Sequence, residues 1–435
     1  MKERGRFHYG WIIVGISFVT LGLSYGVWYS FSVFFVALLR EFGWSRSICA
    51  GAFSLFVILH SFFGPFVGGM VDRFGPKRVM VLGSLALGAG LALCSLTRTW
   101  WQFYLFFGVI TGIGVGFSGW VTHTTIIQNW FKEGRGLATG IIGSGIGVGI
   151  LIYTPLTQYF INLVGWRMTY RIMAISIPLI ILSMTFVFLR KSPPPFPSHS
   201  VEKTFSNLID KDPRVSNGAW NSRPWTVRQA MVTKQFWFLI LCFLLGNFST
   251  QSILTHHVVF FVDKGLEALF ASYIVGIVGL ASMGGKILWG TLSDRIGREL
   301  AYTLGALSSV CGMISLIVFY FFPSGGIPVL YAFFFGMGYA VTAAFPPIVT
   351  ADFFGGRTYG RVFGTTMVFT GLGGASGAWF AGVMYDHLRS YLYVFILMII
   401  CILAACYMLW MAAPRKIRKL PGRRPPKESS RNRGI

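Results

Sequence analysis

Charge is what this chain of 435 residues has least of: Asp, Glu, Lys and Arg make up only 12% of it, against roughly 25% in soluble domains. Acid is the scarcer sign, with 14 Asp and Glu against 37 Lys and Arg. Cysteine is also sparse. Cys49, Cys94, Cys242, Cys311, Cys401 and Cys406 all fall in apolar runs with no C-x-x-C or Cys/His spacing, which excludes a disulfide framework and a metal-ligand cluster and leaves them as small core hydrophobes. What the chain has in excess is apolar side chains, 54% of residues, with a mean hydropathy of +0.64. Windows of about 20 apolar residues read as membrane spans. Twelve are expected, over 11-39, 46-71, 79-97, 101-130, 136-163, 168-189, 235-262, 268-293, 300-322, 327-351, 362-384 and 391-413. Backbone groups in lipid must be paired within their own segment, and the composition follows a helical rather than an alternating period, so the expected class is an all-α membrane protein.

The opening MKERGRFHYG precedes an apolar run longer than a signal peptide's and lacks a small-residue cleavage site, so the run is expected to stay as span 1. The net charge of +23 raises the question of nucleic acid, and the distribution of the charge answers it. With the ends placed in the cytoplasm, 29 of the 37 basic residues lie on the inner side and 7 on the outer. That asymmetry orients both termini inward, excludes a nucleic-acid role for the charge, and assigns the tail 414-435 to the anionic lipid surface. The glycine runs GIGVG and GSGIGVG sit inside apolar spans with no preceding strand and no G-K-[ST], which excludes a phosphate loop.

Composition changes abruptly at 191-234, rich in Pro, Ser, Asn and charge, which reads as a cytoplasmic linker between an N-terminal six-span half, 1-190, and a C-terminal one, 235-413. Gly68, Asp72, Arg73 and Gly75 recur as Gly290, Asp294, Arg295 and Gly297, offset by 222 residues, and Gly112 and Gly114 recur as Gly336 and Gly338, offset by 224. Two matches at nearly one offset imply a duplicated six-helix unit with a site between the copies. In the repeated G-x-x-x-D-R-x-G, Gly is expected to let spans 2 and 8 approach a neighbour, Asp to accept hydrogen bonds from a helix N-terminus, and Arg to anchor at headgroups.

The twelve spans, central linker and duplicated motif resemble the major facilitator superfamily, over roughly residues 9 to 413. More narrowly, HYGWIIVGISF, NWFKEGRGLATGIIGSGIGVG, the GWR at 165-167 and THHVVFFVDKGL are similar to the monocarboxylate transporter and oxalate/formate antiporter branch. The resemblance implies carriage of small organic carboxylates by rocking two bundles around a central cavity. It also implies no cofactor and a prokaryotic inner-membrane location; a monomer is expected, with a proton as a possible second passenger.

Lys286 is the one fully charged residue placed inside a span away from its ends, eight residues before Asp294, or about 12 Å along a helix. An ammonium there costs about 2.5 to 3.5 kcal/mol even on the lenient insertion scale. It either snorkels along Ser282, Gly284 and Gly285 or faces an aqueous cavity as the cation for a substrate carboxylate. In the family this region of span 8 usually has arginine; the spacing from Lys286 to Gly290, Asp294 and Arg295 is kept with lysine in its place, which weakens geometric selection among carboxylates. The oxalate/formate antiporters are implied to hold a dianion between cations on spans 8 and 11, whereas span 11 here has no cation after Arg361, so a monoanion such as lactate or pyruvate fits better. The lysine of span 1 and the aspartate of span 8 found in animal monocarboxylate transporters correspond to Tyr29 and Ser282, so that proton relay is not reproduced. His256 and Asp263 resemble residues of bacterial relatives and are the candidates for proton coupling; each reads equally as a wall or outer-loop group. Further candidates to line the cavity are Tyr25, Tyr29, His123, Asn247, Gln251 and Tyr339, each with a packing alternative. His60 reads as structural.

Three functions compete: a proton-coupled monocarboxylate carrier; a carrier of another solute, including an oxalate/formate-type exchanger or efflux pump; and a membrane sensor or enzyme. Cation exporters place an acid within the first half, where Glu41 and Asp72 lie only at span ends, and no nucleophile-base pair or metal cluster supports an enzyme.

Overall fold

A computed structural model of the chain describes residues 2–131, 135–188, 225–355 and 359–416, and the described residues are helical with no strand. Helix α1 is Lys2–Phe42, α2 Arg46–Phe74 and α3 Pro76–Cys94. Helix α4 begins at Trp100–Phe103, passes through a π-helical stretch Tyr104–Thr111 and Gly112–Phe117, breaks, and resumes as Trp120–Trp130. Helices α5 and α6 are the two arms of Arg135–Phe188, divided where Gly165 leaves helical geometry at φ 81°, ψ 160°. In the second half α7 is Lys234–Asp263, α8 Ala268–Ile296, α9 Arg298–Phe321, α10 Ile327–Phe354, α11 Tyr359–Leu388 and α12 Leu392–Ala412.

Among the described residues, eleven helices are long and apolar enough to cross a membrane, one of them 51 residues, Leu137–Val187. At 1.5 Å per residue that one would be roughly 77 Å long, against about 30 Å of hydrocarbon, so it must fold back. It does so at Gly165. Going along it, Thr157 meets Ser30 of α1, Trp166 meets Glu41 at the end of α1, and Tyr170 stacks on Phe34, so the direction reverses. The twelve expected crossings are therefore present. The expected linker 191-234 lies mostly outside the described residues, but its last part differs from expectation. Thr226 and Gln229 form a capping box on a short helix Val227–Met231, and Trp225 packs edge-on against Phe354.

The sequence repeat is also a repeat of contacts. A Cβ on Gly112 would meet Phe56 of α2, and one on Gly336 would meet Val278 of α8; Gly114 abuts Leu87 of α3, and Gly338 abuts Ser309 of α9. Gly90 against Thr111 is matched by Gly312 against Phe335, and Gly83 against Phe117 by Gly305 against Val341. The turn glycines Gly75 (φ 81°, ψ 154°) and Gly297 (φ 100°, ψ 158°) are likewise equivalent, a backbone region open mainly to glycine. Small residues permit the same close helix crossings in each half, where dispersion rather than hydrophobicity holds helices together in lipid.

The two halves touch at the end of the molecule away from the termini. There the Asp386 carboxylate accepts from the backbone N–H of Arg46 and Ser47 at 3.0 and 2.8 Å, capping α2 from α11. Ser54 Oγ donates to the Ala375 carbonyl at 2.6 Å, and Gly276 and Gly279 of α8 lie against Leu151 and Ile150 of α5. At the terminal end the corresponding faces are apart: a Cβ on Gly69, Gly140, Gly284, Gly290, Gly360 or Gly364 would have nothing within 4 Å. The cavity between the halves thus opens toward the end that carries both termini. In this conformation a Cβ on Gly290 would meet nothing within 4 Å and one on Gly68 would meet Val121 at 3.8 Å, so neither motif glycine makes a close helix crossing here.

Candidate functional site

Lys286 leaves α8 on the side that faces α10. Its Nζ lies 5.7 Å from the centre of the Tyr339 ring, a cation–π distance, and no carboxylate is within 4.0 Å of it among the described residues. The Tyr339 hydroxyl hydrogen-bonds the hydroxyl of Tyr29 on α1, bridging the two halves of the chain. Neighbouring Ile287 and Leu288 are exposed on the opposite face of the helix. The ammonium is therefore directed into the molecule, beside the single tyrosine pair that ties α1 to α10.

Tyr29 continues into an aromatic cluster. Its ring lies 6.2 Å from Trp28, Trp28 stacks with Tyr25 at 5.6 Å, and His60 of α2 stands edge-on to Trp28 at 4.9 Å and to Tyr25 at 6.1 Å. Of the candidates expected to line the cavity, Lys286, Tyr339, Tyr29 and Tyr25 are thus brought into one chain of contacts. Others are placed elsewhere or committed. His123 is fully buried in the first half, its Nδ1–H donating to the Gly119 carbonyl at 2.8 Å while Nε2 accepts from Thr20 at 2.6 Å. Asn247 Nδ2 donates to the Thr370 carbonyl at 2.7 Å and so ties α7 to α11. Gln251, one turn on, also faces α11 at Gly374, with its Oε1 buried and without a partner among the described residues.

The two residues expected to carry protons belong to the closed end, away from the termini. Asp263 pairs with Arg46 across the halves, and the Arg46 guanidinium sits 3.4 Å above the Tyr385 ring and 4.9 Å from that of Tyr391. His256 donates from Nε2 to the Ala378 carbonyl at 2.9 Å, so its Nδ1 accepts from the Tyr391 hydroxyl at 2.9 Å. Both are fastenings in this conformation. Arg46, Asp386 and Tyr391 do not stand out in the sequence, because each reads alone as an ordinary charge or ring at a span end.

At the open end, Arg298 pairs with Asp294 at 2.9 Å and with Asp352 of α10 at 2.8 Å, while Glu299 accepts from the Arg415 backbone N–H at 2.9 Å. Asp294 thus reaches the start of α9 through the Arg298 side chain. Arg295, Asp72 and Arg73 are exposed. Cys311 is exposed, against the expectation that every cysteine packs in the core. No group of three or more His, Cys, Asp or Glu among the described residues is arranged to hold a metal.

A sequence profile described as the Major Facilitator Superfamily matches residues 17–364. Among relatives, the oxalate:formate antiporter of Oxalobacter formigenes is 26% identical over 387 residues, covering 85% of this chain and 84% of its own. Monocarboxylate transporter 4 of Gallus gallus is 24% identical over 432 residues, 98% of this chain and 87% of its own. Among solved structures, a bacterial homologue of the human lysosomal transporter Spinster, inward-facing and unoccupied, matches with a TM-score of 0.70 at 15% identity, over 95% of this chain and 99% of that one.

Proposed function

The chain belongs to the Major Facilitator Superfamily, and from that premise we propose that it carries small monocarboxylates of the lactate or pyruvate kind by alternating access. The observation that carries the proposal is Lys286, an ammonium directed inward over Tyr339 with no carboxylate partner among the described residues. A cation inside a span needs an opposite charge to offset its cost there, and a substrate carboxylate supplies one that can leave again. Lysine is a point charge on a flexible stem, suited to one carboxylate rather than to a rigid two-point fit. In α11 the cation Arg361 lies at the open mouth, exposed, so a fixed second charge for a dicarboxylate is not supplied from that helix. This favours a monoanion over an oxalate-type exchange. Two of the relatives are named for carrying monocarboxylates or oxalate and formate, which supports the substrate class.

We also propose that a proton travels with the carboxylate, and that the termini and open mouth face the cytoplasm, the side on which the basic residues gather. In proteoliposomes, labelled lactate or pyruvate is expected to accumulate along an inward pH gradient while oxalate is not. Accumulation of oxalate in preference to lactate contradicts the substrate class, and lactate uptake with no alkalinisation outside contradicts the coupling.

A further inference from the structure

His60 differs from the other interior histidines in how its ring is held. His123 and His256 each have both ring nitrogens in hydrogen bonds of 2.6 to 2.9 Å, which fixes their tautomers and leaves no nitrogen to take a proton without breaking a bond. His257 is fastened through Nδ1 to the Tyr331 hydroxyl at 2.8 Å, while its Nε2 is buried with no partner among the described residues. His60 has no short hydrogen bond among the described residues. Its Nε2 is 3.5 Å from the Tyr25 hydroxyl, at the outer limit of a hydrogen bond, and its Nδ1 is buried with no partner among the described residues. The indole N–H of Trp28, whose ring it meets edge-on, is buried and without a partner there too. Buried polar atoms are normally paired, and an exception calls for a water, an ion or a chemical role.

The surroundings point the same way. Helix α4 is interrupted beside the ring, with Ser118 at φ −92°, ψ 9° and Gly119 at φ −95°, ψ −153°. A Cβ on Gly119 would come within 3.5 Å of His60 Cε1, and one on Gly116 within 3.9 Å of Nδ1. Broken helices at membrane depth are tolerated where they are buried in protein or line a wet cavity, and in carriers they mark the site. The groups facing the imidazole are Tyr25 and Trp28 from α1 and the backbone of Gly116 and Gly119 from α4; α11 meets the next residue, Ser61, at Gly371. Tyr25 is the one titratable group among them, and no charged side chain is paired with the ring among the described residues. From His60 the contacts run through Trp28, Tyr29 and Tyr339 to Lys286, joining the first half to the second without a gap.

We infer that His60 is the proton-binding residue of the transport site, taking up the proton that accompanies the carboxylate held by Lys286. This rests on the carboxylate reading of Lys286. The neutral imidazole accepts a proton at the free ring nitrogen when the site is open to one side and releases it as hydronium or to buffer when open to the other; no bond other than N–H forms or breaks. The cation so formed is accommodated by the aromatic rings beside it. It would lie on the first-half side of the carboxylate while the ammonium lies on the second, so proton and substrate binding reinforce each other.

The test compares two assays on His60→Gln, Lys286→Met and wild type in proteoliposomes. For one proton per carboxylate, each unit of inward pH gradient supports about tenfold accumulation of lactate. His60→Gln is expected to lose that accumulation and the pH dependence of uptake between pH 5 and 8, while keeping measurable exchange of internal for external lactate. Lys286→Met is expected to lose both accumulation and exchange. Gradient-driven accumulation retained in His60→Gln overturns the inference and leaves the carboxylate reading standing; exchange retained in Lys286→Met overturns the reading itself. Should His60→Gln fail to fold, judged by its melting curve, His60→Asn carries the same comparison. Independently of any variant, wild-type protein is expected to take up protons from weakly buffered solution on binding lactate, and binding with no proton uptake overturns the inference.

Discussion

At the scale of single residues, the account turns on one ammonium and the rings that flank it. Tyr339 contributes a ring face to Lys286 and a hydroxyl to Tyr29, and the two roles are separable. Tyr339→Phe keeps the ring and removes the bond between the halves, worth about 0.5 to 1.5 kcal/mol. Uptake is therefore expected to fall by about two- to tenfold, with lactate affinity changed far less than in Lys286→Met, as read from binding and transport on the same preparation. A loss equal to that of Lys286→Met would show that the hydroxyl, not the cation, holds the substrate. Lys286 was legible in the sequence because a charge in an apolar span stands out against its cost. His60 was not, since a lone histidine in such a run carries no mark of whether its nitrogens are bonded, and that is what separates it from His123 and His256. Asp263 was legible as a titratable group but not as a fastening, because its partner Arg46 is 217 residues away.

At the scale of helices, the closed end is held by side chains reaching from one half to the other. Arg46 of α2 pairs with Asp263 of α7, and Asp386 of α11 caps α2 through Arg46 and Ser47. Asp263 is partly exposed, so its pair is worth up to about 1 kcal/mol, whereas loss of a cap costs about 1 kcal/mol or more. Asp386→Asn and Asp263→Asn are both expected to shift the population toward opening at this end, Asp386→Asn at least as strongly. Spin labels on the closed ends of α2 and α7 should report a growing long-distance population; unchanged distances in the double variant would show that the closure rests on the remaining contacts, Ser54 with Ala375 and α5 with α8. Glycines offer a second contrast. A Cβ on Gly336 would fall 2.6 Å from the Val278 carbonyl oxygen, while one on Gly290 meets nothing. Gly336→Ala is expected to lower the melting temperature, the overpacking costing about 1 to 3 kcal/mol, and Gly290→Ala to leave it unchanged. Hydropathy made the twelve spans readable but not the break at Ser118 and Gly119 nor the single turn at Gly165, because apolar content says nothing of backbone geometry.

At the scale of the whole molecule, two copies of one six-helix unit enclose a cavity that is shut at one end and open at the other. The duplication was legible as offsets of 222 and 224 residues, and the contacts of Gly112 and Gly336, or of Gly90 and Gly312, repeat it in space. The direction in which the cavity opens was not legible, since the open and closed arrangements are made by the same residues and differ only in which faces meet. A carrier that cycles between them needs a ligand whose binding differs between the states, and the central claim is that this ligand is a carboxylate held by Lys286. The direct measurement is equilibrium binding of labelled lactate to purified wild type, Lys286→Arg and Lys286→Met, each checked for folding by its melting curve. Saturable binding to wild type, weaker binding to Lys286→Arg and none to Lys286→Met is the result expected; undiminished binding to folded Lys286→Met would contradict it.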